Sequence, residues 1–292
     1  TSALHLALLA LEVKEGDEII IPSFVCTAVL NAVNYTRAIP RIVDIDPLSF
    51  NISVPSVEKA ITKQTKAVIV PHMFGSPAEM GKLMDLGVPV IEDCAQSIGA
   101  NVKGRQTGSF GLLSVFSFYG TKVLTSGEGG MVLSDSNELV SKLKDLRDYD
   151  NKQNYVLRYN YKMTDLQAAL GLNQLLRLDD FIQKRQKIAS KYFEEFRKEP
   201  ISLPHKQENS DHIYFRFVVK TKEPVSALLE KLHLMKVFCQ RPVFSPLHVS
   251  LNLPDCPNSA EAWEKTFSIP LYPSLTDEEI ERIIGAVKDV FS

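Results

Sequence analysis

The chain of 292 residues is poor in several things that would mark it early. It has one tryptophan, a net charge of only −2, and four cysteines. Cys26, Cys94, Cys239 and Cys256 are widely scattered and form no Cys-x-x-Cys pair. That spacing offers no zinc-ligand pattern, no dithiol redox motif and no disulfide framework. The near-neutral charge argues against a nucleic-acid or anionic-membrane partner. No apolar run approaches the roughly 20 residues of a membrane-spanning helix. No secretory signal pattern is visible, so reduced thiols in a cytoplasmic protein are expected. Internal repeats and low-complexity tracts are missing too. The chain also lacks an initiating methionine. Thr1-Ser2 stands directly before the apolar run Ala3 to Leu11, like the N-cap of a core helix. Residues upstream of Thr1 are therefore expected in the full protein.

What is present is ordinary globular composition, 45% hydrophobic and 23% charged, in a chain long enough for a large domain and a smaller one. The first half alternates short β-rich runs with helical segments. Strands are expected at Glu18–Pro22, Pro40–Asp44, Lys66–Pro71, Val88–Ile91, Leu112–Phe118 and Gly130–Leu133. Helices are expected at Thr27–Tyr35, Ser56–Thr62 and Ala78–Leu86. This pattern predicts an α/β fold with a mainly parallel sheet covered on both faces. Ligands of such sheets bind at the carboxyl ends of the strands, where Pro22-Ser23-Phe24, His72, Asp93 and Ser117 fall. From Thr164 the apolar spacing becomes helical and runs on toward Phe193, which predicts one long helix joining a large domain, 1–180, to a small α+β domain, 181–292. The tail holds a predicted strand, Ile213–Val219, and helices at Val225–Leu232 and Asp277–Phe291.

Two residues carry the chemistry. Lys122 lies in an uncharged, Ser/Gly-rich stretch just after the apolar run Val115-Phe116-Ser117-Phe118. Desolvation there would lower its pKa and make the amine nucleophilic. Asp93 ends the strand-like Val90-Ile91-Glu92. A buried lysine with a strand-end aspartate is the minimum equipment for pyridoxal phosphate. The amine forms a Schiff base with the aldehyde, and the carboxylate keeps the pyridine nitrogen protonated so that the ring draws electrons. The plainer alternatives are a surface lysine and a helix N-cap.

The matching stretches extend along nearly the whole chain. They include Thr-Ser-Ala-Leu-His-Leu-Ala-Leu at 1–8, Gly-Asp-Glu-Ile-Ile-Ile-Pro-Ser-Phe at 16–24 and Ile-Glu-Asp-Cys-Ala-Gln-Ser-Ile-Gly-Ala at 91–100. They continue with Phe-Ser-Phe-Tyr-Gly-Thr-Lys at 116–122, Gly-Glu-Gly-Gly-Met-Val at 127–132 and Tyr-Asn-Tyr-Lys-Met-Thr-Asp-Leu-Gln-Ala-Ala-Leu-Gly at 159–171. In these the chain resembles the DegT/DnrJ/EryC1/StrS sugar aminotransferases, which have the type I fold of pyridoxal phosphate enzymes. The resemblance implies that Lys122 forms the Schiff base and then moves a proton between substrate and cofactor. It makes Asp93 the pyridinium partner and leaves Gln96, one helical turn on, to bond the ring hydroxyl. Thr1 and Ser2 at a helix N-terminus, with the Ser117 hydroxyl, fit a phosphate site. Asn160 matches an asparagine that reaches the phosphate bound by the other subunit, which implies a homodimer with shared sites. Its polar, tyrosine-rich loop has little reason to be buried in its own subunit.

The chain departs from the family at two positions. Cys26 stands where many members stack an aromatic on the cofactor, and a thiol packs more weakly on a ring. Lys162 replaces an arginine and loses the planar fork. His72 and His248 are further candidates for substrate contact, against the commoner structural role of single histidines. No metal is expected.

The expected activity is transfer of an amino group from glutamate to a nucleotide-linked keto-sugar. A dehydratase branch of the same fold replaces the lysine with histidine, and Lys122 speaks against it. An enzyme making an aminocyclitol or aminobenzoate stays open. A non-enzymatic regulatory module would be expected to have lost Lys122, Asp93 or Ser117. A nicotinamide-dependent dehydrogenase fails on context, because Gly127-Glu128-Gly129-Gly130 precedes a strand rather than opening a helix.

Overall fold

The computed structural model describes residues 1–253 and 256–292. The first half runs α1 (Ser2–Ala10), β1 (Glu18–Pro22), α2 (Thr27–Tyr35), β2 (Ile39–Val43), α3 (Val54–Ala60), β3 (Thr65–Pro71), α4 (Met80–Met84) and β4 (Val90–Asp93). A small hairpin, β5 (Asn101–Val102) and β6 (Arg105–Gln106), precedes β7 (Leu113–Ser117), β8 (Gly130–Leu133) and α5 (Asn137–Leu146). The main sheet has the order β2-β1-β3-β4-β7-β8. Its first five strands are parallel and β8 is antiparallel.

The middle of that sheet is apolar on both faces because both are covered. Ile19, Ile20 and Ile21 of β1 are all fully buried. Ile19 and Ile21 join the core under α1 and α2, whereas Ile20 joins the one under α3 and α4. Strand side chains alternate in direction, so an unbroken apolar run means two cores. Each such isoleucine contributes roughly 1.5–3 kcal/mol by leaving water.

The second half runs α6 (Asp165–Leu175), α7 (Leu178–Phe196), β9 (Ile201–Ser202), β10 (Ser210–Asp211), β11 (Phe217–Thr221), α8 (Ser226–Leu234), α9 (Leu247–Ser250), α10 (Pro257–Lys265), β12 (Thr266–Ile269) and α11 (Asp277–Asp289). Strands β12-β11-β9 form an antiparallel sheet. Against it pack Tyr192 and Phe196 of α7 and the Ile280, Ile283, Ile284, Val287 stripe of α11. The stripe has the spacing of one helical face. Thr276 and Glu279 close a reciprocal capping box at the start of α11.

Two sequence expectations are corrected here. The predicted long helix is two helices, turned at Leu176-Arg177. The apolar face changes partners at that point. Leu166, Leu172 and Leu176 are exposed, whereas Leu178, Phe181 and Ile182 pack on Ala100, Val123, Ile213 and Phe215. Asp179 and Asp180 favour the fresh N-terminus of α7. The predicted strand over 213–219 begins only at Phe217. Tyr214 adopts a left-handed φ of 49°, and the backbone around it bonds elsewhere. The Ile213 N–H donates to the Gly75 carbonyl at 3.1 Å and the Arg216 N–H to the Phe74 carbonyl at 3.3 Å. This crossing segment links the two halves of the chain.

Candidate active site

A cavity of about 590 Å³ opens at the carboxyl ends of β1, β3, β4 and β7. All eight residues expected from the sequence to hold a cofactor line it: Thr1, Ser2, Cys26, Asp93, Gln96, Ser117, Lys122 and Asn160. The strand ends bring Asp93 and Ser117, the N-termini of α1 and α2 bring Thr1, Ser2 and Cys26, and loops bring the rest.

Lys122 sits in the loop between β7 and β8. The loop is closed by the Phe118 N–H to the Gly129 carbonyl (2.9 Å) and the Ser126 N–H to the Phe118 carbonyl (2.9 Å). Gly127 turns it at a φ of 80°, which glycine adopts without strain. At Gly129 a Cβ would meet Met163 and Ser126, each at 2.6 Å. The Lys122 Nζ makes no hydrogen bond among the described residues and lies 5.2 Å from the centre of the Phe215 ring. Burial pulls its pKa below the usual lysine range, helped by Arg216 and opposed by Asp93 and Cys26. Asp93 is shifted the other way. Burial raises it, and the Ala95 N–H and Lys122 work against that rise. One Asp93 oxygen accepts the Ala95 N–H at 3.0 Å, and the other has no protein partner among the described residues.

Gln96 is oriented by its own carbonyl oxygen, which accepts the Phe74 N–H at 3.0 Å. Its NH2 group is left to face the cavity. Thr1 is the N-cap of α1 but makes no side-chain cap bond. The first helical bond is His5 N–H to the Thr1 carbonyl, so the N–H groups of Ser2, Ala3 and Leu4 stand open toward the cavity. Cys26 is the exposed N-cap of α2 and likewise makes no cap bond.

The Asn160 loop is exposed at Asn160 itself but tied down on either side of it. Tyr159 and Tyr161 pack edge-on against the buried His5 of α1, with ring centroids at 4.9 and 6.0 Å. Backbone bonds tie the same two residues to Leu146 and Arg147 at the end of α5. The loop is thus anchored in its own subunit. The alternation leaves Asn160 exposed, with Lys162 beside it on the cavity wall. Lys162 is engaged by Asp148 at 3.0 Å and Asp150 at 2.7 Å.

Neither candidate histidine is free to meet a substrate. His72 is fully buried, its Nδ1 accepting the Ala78 N–H (3.0 Å) and its Nε2 on Glu92 (3.0 Å). With Nδ1 an acceptor, Nε2 is the ring nitrogen that donates to Glu92. His248 lies away from the cavity, where its Nδ1 meets the Ser23 hydroxyl at 2.6 Å. It fastens α9 to the end of β1. The sequence also gave no warning that His72, Glu92 and Cys94 place ligand atoms within 4.8 Å of one another. The Glu92 carboxylate there already accepts N–H groups from Gly108 (2.8 Å), Phe110 (2.6 Å) and Gly111 (2.6 Å) besides His72. Burial pushes Glu92 up, but these donors outweigh it and hold the group below its ordinary value. The cluster is a buried brace for the 108–111 loop, directly behind Asp93. Adjacent acids on a buried strand were its only sequence signal.

Residues 1–288 match the DegT/DnrJ/EryC1/StrS aminotransferase family. The chain belongs to this family. The aminotransferase is 35% identical to GDP-perosamine synthase from Escherichia coli O157:H7, over all of this chain and 84% of that protein. It is 34% identical to UDP-N-acetyl-3-dehydro-alpha-D-glucosamine 3-aminotransferase from Acidithiobacillus ferrooxidans, covering 99% of this chain and 81% of that one. Among solved structures, S. venezuelae DesV in complex with a ketimine intermediate superposes with a TM-score of 0.93 at 31% identity, covering 99% of this chain and 82% of that one. The fold is therefore that of the pyridoxal phosphate aminotransferases, and pyridoxal phosphate is the cofactor. The cavity fits that group. It offers open helix N–H groups and hydroxyls for a phosphate, a buried carboxyl with one oxygen unpartnered among the described residues for a ring nitrogen, and an unbonded, half-buried amine for an aldehyde.

Proposed function

We propose that this aminotransferase moves an amino group from glutamate to the keto carbon of a nucleotide-linked sugar. The observation that carries the reading is the convergence of an unbonded, half-buried lysine and a half-satisfied buried aspartate on one open cavity. The names of the relatives, which concern GDP- and UDP-linked sugars, support the substrate class. Pyridoxal phosphate, when bound, supplies the aldehyde that accepts the amine and a ring that withdraws electrons. Lys122 holds the cofactor and then carries the proton at its Nζ to and from the reacting carbon. Its lowered pKa keeps that nitrogen available as a base. Asp93 would hold a proton on the ring nitrogen, and Gln96 would offer its NH2 to the ring hydroxyl. The α1 N-terminus, Thr1, Ser2 and Ser117 take the phosphate. Cys26 stands at the cavity wall as a small, polarisable contact for the ring.

The working unit in this reading is a homodimer. Support comes from the exposed Asn160 and from the exposed Leu166, Leu170, Leu172 and Leu175 of α6, the helix whose Gln167 lines the cavity. Such apolar surface marks an interaction face, and Asn160 would serve the neighbour's phosphate. Residues 1–180 are read as the cofactor domain and 181–292 as the small domain. Free thiols at Cys26, Cys94 and Cys239 fit the cytoplasm, and no helix among the described residues is long and apolar enough to cross a membrane. Incubation with glutamate and a panel of nucleotide-linked keto-sugars, followed by mass spectrometry, tests the reading. A gain of one amino group on a sugar supports it. Failure on every keto-sugar, with transfer to a cyclitol or aromatic ring instead, would sink it.

A further inference from the structure

Arg185 lies within α7 and is only 6% exposed, yet among the described residues no carboxylate faces it. Its Nη1 donates to the carbonyls of Tyr214 (3.3 Å), Phe215 (3.3 Å) and Leu271 (3.0 Å), and its Nε has no partner. Burying a guanidinium without a counter-ion is costly. An apolar side chain of similar length would fill the space at less cost, so the donors are what the position uses. Two of the three carbonyls belong to the crossing segment 213–216. That segment is held in an unfavourable shape, because Tyr214 has a left-handed φ of 49°, and the Phe74, Gly75 and His212 contacts that help hold it all lie on the side of the N–H groups, leaving the carbonyls to Arg185. The ring of Phe215, on the same segment, lies 5.2 Å from the Lys122 Nζ.

We propose that Arg185 is a positioning residue for the reacting lysine: its bonds to the Tyr214 and Phe215 carbonyls fix the crossing segment so that the Phe215 ring covers Lys122 and keeps water from its amine. The proposal rests on Lys122 as the reacting lysine. The charged or titratable groups facing that amine are Asp93 at the end of β4, Cys26 at the head of α2 and Arg216 on the crossing. Of these only Arg216 rides on the segment that Arg185 holds, and Phe215→Leu leaves it in place.

The test uses cofactor-free protein. An amine-reactive reagent is applied across a pH series, and modification of Lys122 is read by peptide mass spectrometry with exposed Lys63 as internal reference. In the wild type the Lys122 midpoint falls below that of Lys63. Arg185→Gln and Phe215→Leu should each raise it toward Lys63 by the same amount, and the double variant should go no further. A one-unit rise slows modification about tenfold at pH values below both midpoints. Arg185→Lys, which keeps the charge and fewer donors, should fall between wild type and Arg185→Gln. A wild-type midpoint in folded Arg185→Gln, or additive shifts in the double variant, overturns the proposal. So does failure of both Arg185→Gln and Arg185→Lys to fold, since Arg185 would then serve the fold as a whole. Borohydride fixation of the cofactor on a lysine other than Lys122 would instead defeat the assignment of the reacting lysine.

Discussion

Burial moves Lys122 down and Asp93 up, and each opposes the other's shift. Opposite charges in a half-dry cavity tune one another in this way. Borohydride reduction of the yellow holoenzyme should fix the cofactor on the peptide carrying Lys122 and on no other. Lys122→Ala should lose at least about 10²-fold in turnover, the low end of what a positioned base contributes, while still binding cofactor through Asp93 and the phosphate site. Asp93→Asn keeps the Ala95 N–H bond within reach of its amide oxygen but cannot hold a proton on a ring nitrogen. Turnover should fall by about 10²–10³-fold, the usual loss on removing one preorganised charge partner, with cofactor affinity changed only a few-fold. Equal turnover in Asp93→Asn would reduce Asp93 to a brace for the turn at Ala95. Cofactor affinity is read by titration of the visible absorbance, so the two effects separate.

At the scale of elements, the crossing segment is irregular yet bonds to both halves of the chain. His212 opens it. Its ring stacks on Tyr214 with centroids 4.1 Å apart, and its Nδ1 accepts the Tyr214 N–H at 2.8 Å. Burial pulls its pKa down to about 3. A histidine with a depressed folded pKa stays neutral while the unfolded chain takes up a proton. Between about 6.5 and about 3 the unfolded state therefore binds more protons, and stability falls as the pH is lowered through that window. Above about 6.5 the contribution is fully present. Thermal unfolding followed from pH 7 to pH 5 should show a falling midpoint, and His212→Asn, which keeps an acceptor near the Tyr214 N–H, should flatten that slope. An unchanged slope in the variant would mean that other groups set the acid sensitivity.

At the scale of the whole molecule the open question is whether each cavity is completed by a second chain. Asn160 is exposed on a loop that tyrosines anchor to α1, so it is held firmly while presenting its amide outward. Mixing Lys122→Ala subunits with Asn160→Ala subunits decides the matter, provided each is weak alone. If the sites are shared, a heterodimer contains one site with both lesions and one with neither, and activity recovers toward half of wild type per heterodimer. No recovery, despite subunit exchange confirmed by native mass spectrometry, would rule the contact out.

The sequence alone determined the parallel sheet, because its strands are buried on both faces and read as unbroken apolar runs such as Ile19-Ile20-Ile21. It also placed Asp93 and Ser117 together, because both end parallel strands and the ends of parallel strands gather at one edge of the sheet whatever the rest of the fold does. The tertiary structure alone decided what depended on distant partners. The apolar spacing from Leu166 to Phe193 is the same for one helix or two, and only the change from an exposed face to the Ala100–Phe215 side breaks it at Arg177. The run Ile213–Val219 has strand composition, yet the Phe74 and Gly75 carbonyls claim its first half and force Tyr214 left-handed. His72 became structural because Ala78 and Glu92 occupy both its ring nitrogens, and His248 because it is buried away from the cavity with its Nδ1 on Ser23. Arg185 reaches Phe215 across 30 residues, and no local pattern records a contact that exists only once two layers have packed.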